Sequence, residues 1–127
     1  MSYFPDLSTY VYQEVEPGTF NIGWLDADHR FPTWDPPPEF TSQLTRLVIE
    51  NPVRRTRGWH DCPFCRRHPA TVSYEGAEKP VGDAEIRVQH SDGRTFAAPT
   101  LIAHYVAQHR YQPPEAFIAA VEGLAAK

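Results

Sequence analysis

Two pairs of side chains able to ligate a metal, Cys62-Pro63-Phe64-Cys65 and His104-x4-His109, lie 38 residues apart in a chain of 127. If both pairs serve one ion, the backbone between them must leave the first pair and come back to it. That closure restricts the C-terminal half more than any other feature. Zinc prefers tetrahedral sulfur and nitrogen donors, and a CxxC turn sets two thiolates on one side of the ion with backbone N–H groups near the sulfurs. A histidine pair separated by about three to five residues is a usual complement. On an ideal helix, residues five apart point about 140° away from each other. His109 is therefore expected where the helix unwinds, ahead of Tyr111 and Pro113.

The intervening stretch is longer than in short zinc fingers, so it must carry structure of its own. Thr71 to Tyr74 can form a strand, and residues 75–83 hold the glycine, proline and charge of a loop. Ala84, Ile86 and Val88 alternate with Glu85, Arg87 and Gln89, the period of a half-buried strand. Ser91-Asp92-Gly93-Arg94 supplies turn chemistry, and Thr95 to Ala97 returns as a second strand. Pro99 suits a helix start, and Leu101, Ile102, Tyr105 and Val106 make an apolar stripe. Pro113-Pro114-Glu115 opens a last helix with Phe117, Ile118, Val121 and Leu124 facing inward. A cysteine turn, two strands and a histidine-bearing helix form a zinc-stapled unit of treble-clef-like or expanded ββα order.

Ahead of it, Tyr10-Val11-Tyr12 and Phe20 to Leu25, separated by Glu16-Pro17-Gly18, predict a small N-terminal β-hairpin. After Pro36, Pro37 and Pro38, the spacing of Phe40, Leu44, Leu47 and Val48 predicts a helix that stops at Asn51-Pro52. The expected architecture is α+β: one domain over 1–127, with an N-terminal subregion 1–52 packed on a zinc subregion 53–127. Thirteen prolines, about twice the usual share, keep its elements short. An apolar content of 41% is enough to build a core. No apolar run reaches the roughly 18 residues of a membrane span, and MSYFPDLSTY lacks the regions of a signal peptide. The expectation is a cytoplasmic protein with no membrane partner, whose closely spaced cysteines serve as ligands rather than as a structural disulfide.

The net charge of −4 conceals a division: residues 1–50 carry −6, residues 51–68 carry +4 and residues 69–127 carry −2. Arg54, Arg55, Arg57, Arg66 and Arg67 flank the cysteine turn, with Trp59 among them, so an anionic partner would be met there. Nucleic acid is one such partner, through phosphate contacts and stacking on Trp59 and Phe64. A sequence pI near 5.8 ranks a protein partner ahead of it.

Competing uses of these residues are weighed against the same pattern. His60 and His68 lie close enough to the turn to replace a ligand, whereas His29 and His90 are most simply solvated. CPFC also resembles the redox tetrapeptide of glutaredoxins, yet that chemistry needs a buried strand before it and a helix after it. Here Arg54 to Asp61 precede and Pro69 interrupts. A metal-dependent hydrolase or nuclease using His90 and His104 needs an open metal position, which four protein ligands would close. The expected role is a zinc-stabilised binding or adaptor module rather than an enzyme.

Taken together, YFPDLSxY at 3–10, Gly23-Trp24-Leu25, Thr56-Arg57-Gly58, AEIRV at 84–88 and AAPTLIAHYVAQHRYQPPEAF at 97–117 are similar to an uncharacterised family of small bacterial proteins. The resemblance covers most of the chain. It implies that the cysteine turn and the HYVxxHxYxPP segment are a shared metal site, and it supports the architecture without implying an activity.

Overall fold

The computed structural model describes residues 3–11, 15–65 and 68–125. Among the described residues, the aromatic N-terminal segment forms one regular strand, β1 (Thr19–Asn21). Its antiparallel neighbour lies earlier than the expected hairpin. Leu7 N donates to Asn21 O at 2.7 Å, Asn21 N to Ser8 O at 2.7 Å and Tyr10 N to Thr19 O at 2.8 Å. The partner is thus residues 7–10, held as isolated bridges, while Tyr12 falls outside the described residues. Burial explains the shift: Tyr10 and Trp24 pack with Ala97 in a small apolar cluster, and this position of the segment places them there.

Pro38 and Glu39 open α1 (Pro38–Glu50), where a missing N–H and an early acid both suit a helix start. Its inward face is Phe40, Leu44, Thr45 and Val48, and truncating Phe40 would cost about 3–5 kcal/mol. Asn51 and Pro52 end it, as their chemistry predicts.

β2 (Thr71–Tyr74) continues through Glu75 and Gly76 into β3 (Ala77–Pro80), which pairs antiparallel with it. The stretch 75–83 is therefore not all loop. Positive φ at Glu75 and Gly76 turns the chain within two residues, and β3 stays exposed at every position, so no apolar alternation marks it.

β4 (Glu85–Gln89) and β5 (Thr95–Pro99) form the hairpin that the alternation predicts, with Ile86 opposite Ala98 and Val88 opposite Phe96. Pro99 ends this strand rather than starting the helix. Thr100 precedes α2 (Leu101–His109) without a side-chain capping bond, and the helix ends at Arg110 in the left-handed conformation. α3 (Glu115–Ala125) follows Pro113-Pro114.

The sheet order is β1-β5-β4, with β1 parallel to β5, and β2-β3 stands as a separate ribbon. The protein is thus a mixed α+β fold with small sheets and three helices among the described residues. One core cluster joins Ile22, Phe40 and Leu44 to Ile86, Phe96, Ile102 and Phe117, so both sides of the arginine connector contribute. Gly23 permits part of this packing: a Cβ there would lie 2.8 Å from the Ile102 side chain, so α2 settles directly on the N-terminal backbone. Among the described residues, no helix is long and apolar enough to cross a membrane.

Candidate metal centre

The connector delivers the cysteine turn because it is fastened to the first residue of β4 and to the segment leading into it. Val53 and Glu85 exchange backbone hydrogen bonds of 2.7 and 2.8 Å, Thr56 N donates to Asp83 O at 2.7 Å and His60 N to Gly82 O at 2.8 Å. Gly82 makes the last contact feasible. At φ +123° it occupies glycine's region, and a Cβ would meet the His60 carbonyl oxygen at 2.4 Å.

Beyond that fastening, residues 62–65 turn so that Phe64 N donates to Cys62 Sγ at 3.4 Å. The Phe64 ring anchors the turn among Phe31, Tyr105 and His109, at centroid distances of 5.2, 5.8 and 5.3 Å. Cys62 is buried and Cys65 partly exposed, and both are free thiols.

Helix α2 presents the second pair. His104, buried in the first half of the helix, donates from Nδ1 to the carbonyl oxygen of Thr71, the first residue of β2, at 2.9 Å. A carbonyl only accepts, so Nδ1 carries the hydrogen, and Nε2 is the nitrogen left to offer a lone pair to a metal. That Nε2 lies 3.3 Å from Cys65 Sγ. His109 is the final helical residue, and its Nε2 lies 3.1 Å from Cys65 Sγ and 3.4 Å from Cys62 Sγ. Placement at the helix end reconciles the five-residue spacing with a common target.

All four donor atoms fall within 4.8 Å of one another. Bonds near 2.3 Å to sulfur and 2.0–2.1 Å to nitrogen in a tetrahedron imply sulfur-to-nitrogen edges of roughly 3.5 Å, close to the 3.1–3.4 Å found. Cys62, Cys65, His104 and His109 can therefore bind one metal ion. Burial pushes the Cys62 thiol up to about 12, opposed by the Phe64 N–H, so a cation would have to displace its proton. Burial and then the neighbouring His104 lower His109, favouring the neutral ring that ligates.

The other histidines lie elsewhere. His68 pairs through Nδ1 with Asp61 at 2.6 Å and is exposed, and neither it nor His60 belongs to the four-donor group. His90 bonds Asp92 at 3.1 Å and meets the edge of Phe96, and it too is outside the four-donor group. His29 stacks on Tyr3 at 3.8 Å and pairs with Asp26.

The arginine cluster divides. Arg54 reaches Glu16 at 2.7 Å and Arg55 reaches Asp83 at 2.9 Å, whereas Arg57 and Trp59 are exposed. Arg66 and Arg67 lie outside the described residues. Sequence reasoning missed a polar network on the far face of the sheet. There the Tyr10 hydroxyl donates to both Glu85 oxygens at 3.0 and 3.2 Å, and Arg87 pairs with Glu85 and lies 4.5 Å over the Tyr10 ring. Glu85 is only 4% exposed, so the polar face of β4 is covered at this end, while Gln89 at the other stays exposed. The one local sign was Glu85 and Arg87 two residues apart on a strand, and hence on one face. An open cleft of about 550 Å³ between α1 and the β2-β3 turn is lined by none of the four donors.

No curated protein and no solved structure matches the chain. The profile of the domain of unknown function DUF7919 matches residues 2–122, and the chain belongs to that family.

Proposed function

We propose that this protein is a zinc-stapled binding module. The observation that carries the reading is the convergence of two thiols and two imidazole Nε2 atoms within 4.8 Å. Two sulfur and two nitrogen donors suit zinc better than the oxygen-seeking magnesium or calcium. With every tetrahedral position supplied by the chain, no place is kept for a reacting water, which favours a structural ion over a catalytic one. The ion would tie the connector to α2, and residues 1–127 would unfold as one domain around an expanded ββα or treble-clef-like unit. Free thiols fit a reducing, cytoplasm-like compartment.

The binding surface in this reading is Arg57 and Trp59, carried on a connector whose backbone is fastened at Val53, Thr56 and His60. Trp59 is 47% exposed, and tryptophan and arginine are the side chains that most often anchor protein interfaces. Nucleic acid is the second reading, on the same exposed pair. The acid partners of Arg54 and Arg55 and the net charge of −4 favour a protein partner.

Elemental analysis of native protein and of Cys62→Ser, with folding followed on the same samples, tests the metal. Native chain carrying one zinc, and a variant that loses both the ion and cooperative unfolding, are the expected results. Native chain without metal would sink the reading. Salt-dependent binding to oligonucleotides, lost in Arg57→Ala with Trp59→Ala, would transfer the surface to nucleic acid.

A further inference from the structure

The metal reading leaves unexplained why the two thiols differ so much in access. Cys62 is 2% exposed, sealed under the turn, whereas Cys65 is partly exposed although its sulfur faces both imidazoles. Resting on that reading, we propose that the centre is a thiol switch: a hydroperoxide converts Cys65 and Cys62 to a disulfide and so expels the metal.

The chemistry balances without help from the ion, since zinc has no accessible redox change. The Cys65 thiolate attacks one peroxide oxygen, the O–O bond breaks, and the departing hydroxide or alkoxide takes a proton from water. Cys65 is then a sulfenic acid. The Cys62 thiolate attacks that sulfur, the S–O bond breaks and hydroxide leaves, to be protonated in its turn. Two electrons have moved from the two sulfurs to the peroxide, and one S–S bond has formed.

Geometry favours each stage. The more accessible thiol meets the oxidant, and the buried one, three residues away in the same turn and bonded by Phe64 N–H, resolves it before a second oxygen can add. The His104 imidazole cannot follow the sulfurs, because its ring is held by Thr71 O. The oxidised centre would keep two neutral imidazoles and no thiolate, a donor set that holds zinc far more weakly. Release cuts the tie between the 62–65 turn and α2, beside the connector that carries Arg57 and Trp59.

The test uses zinc-loaded wild-type protein, its metal content measured first, treated with hydrogen peroxide in the presence of a chromogenic zinc chelator. Zinc release should match disulfide formation one for one by intact mass, and a dithiol reductant with added zinc should restore the ion. With substoichiometric peroxide and a cyclic dione that traps sulfenic acid, peptide mapping should find the adduct on Cys65 before Cys62. Zinc retained after peroxide, release accompanied by sulfinic or sulfonic acid without the disulfide, or first labelling at Cys62 would each overturn the switch while leaving the metal reading intact. Absence of zinc before peroxide is added would overturn both.

Discussion

The hydrogen bond from His104 Nδ1 to the Thr71 carbonyl oxygen joins the start of β2 to the middle of α2 across 2.9 Å. It settles which ring nitrogen faces the thiols, since the other is committed to the backbone. Together with His109 at the helix end, it turns a segment whose main business is core packing into half of a donor set. Leu101, Ile102, Ala103, Tyr105 and Val106 are all buried around it, so the imidazole is positioned by a rigid element rather than by a loop.

This bond predicts a defined tautomer. Long-range proton–nitrogen correlation spectra of the zinc-loaded protein should show His104 protonated at Nδ1 and metallated at Nε2. His104→Ala should remove the ion and destabilise the chain by several kcal/mol, on the order of the stability of the whole domain. Metallation at Nδ1 would contradict the geometry.

Gly82 fastens the connector beside the cysteine turn. Gly82→Ala must relieve both a 2.4 Å approach to a carbonyl oxygen and a φ of +123°. The cost should be about 3 kcal/mol, with weaker metal retention because His60 lies two residues before Cys62. Chelator competition and thermal unfolding measure the two effects, and Gly93→Ala, with no atom within 4 Å of the added Cβ, isolates the penalty of positive φ alone.

Glu85 shares the Tyr10 hydroxyl and the Arg87 guanidinium in a largely closed site. Glu85→Ala should cost about 3 kcal/mol, because it takes the acceptor from the Tyr10 hydroxyl and leaves Arg87 only its longer 3.4 Å pair with Glu16. Glu85→Leu combined with Arg87→Met should recover much of the loss. Urea titration of the three chains checks the coupling, and a double variant no more stable than Glu85→Ala would mean that the pair is not an energetic unit.

Asp6 supplies a pH dependence. It accepts from Gly23 N at 2.9 Å and from the Tyr111 hydroxyl at 2.7 Å. Burial raises its carboxyl above the ordinary 3.8, only partly offset by those two donors. The folded chain therefore holds this proton more tightly than the unfolded chain. The contribution to stability is full below the ordinary value and declines as pH rises through the raised one. Asp6→Asn should flatten that decline in urea unfolding followed from about pH 4 to 7, and Tyr111→Phe should steepen it by removing a donor to the carboxylate.

Much of this fold could be read from neighbours along the chain. Alternation at residues 84–89 with the Ser91-Asp92-Gly93 turn marked the β4-β5 hairpin, and prolines bracketed α1 and preceded α3. The two ligand pairs stood out by residue type and spacing. These patterns are visible because turn geometry and side-chain period depend on a few consecutive dihedrals and on which face is apolar.

Relationships between distant segments left no such trace. Nothing near Thr19 announces a parallel partner at Thr95, and β3, exposed at all four positions, has no burial period to detect. Glu85 read as a solvated residue until Tyr10 and Arg87 closed over it. Thr71 contributes through a main-chain oxygen that any residue would offer. Such pairings are selected by the burial of the common core from Ile22 to Val121. That burial is a sum over the folded chain and is written in no single window of it.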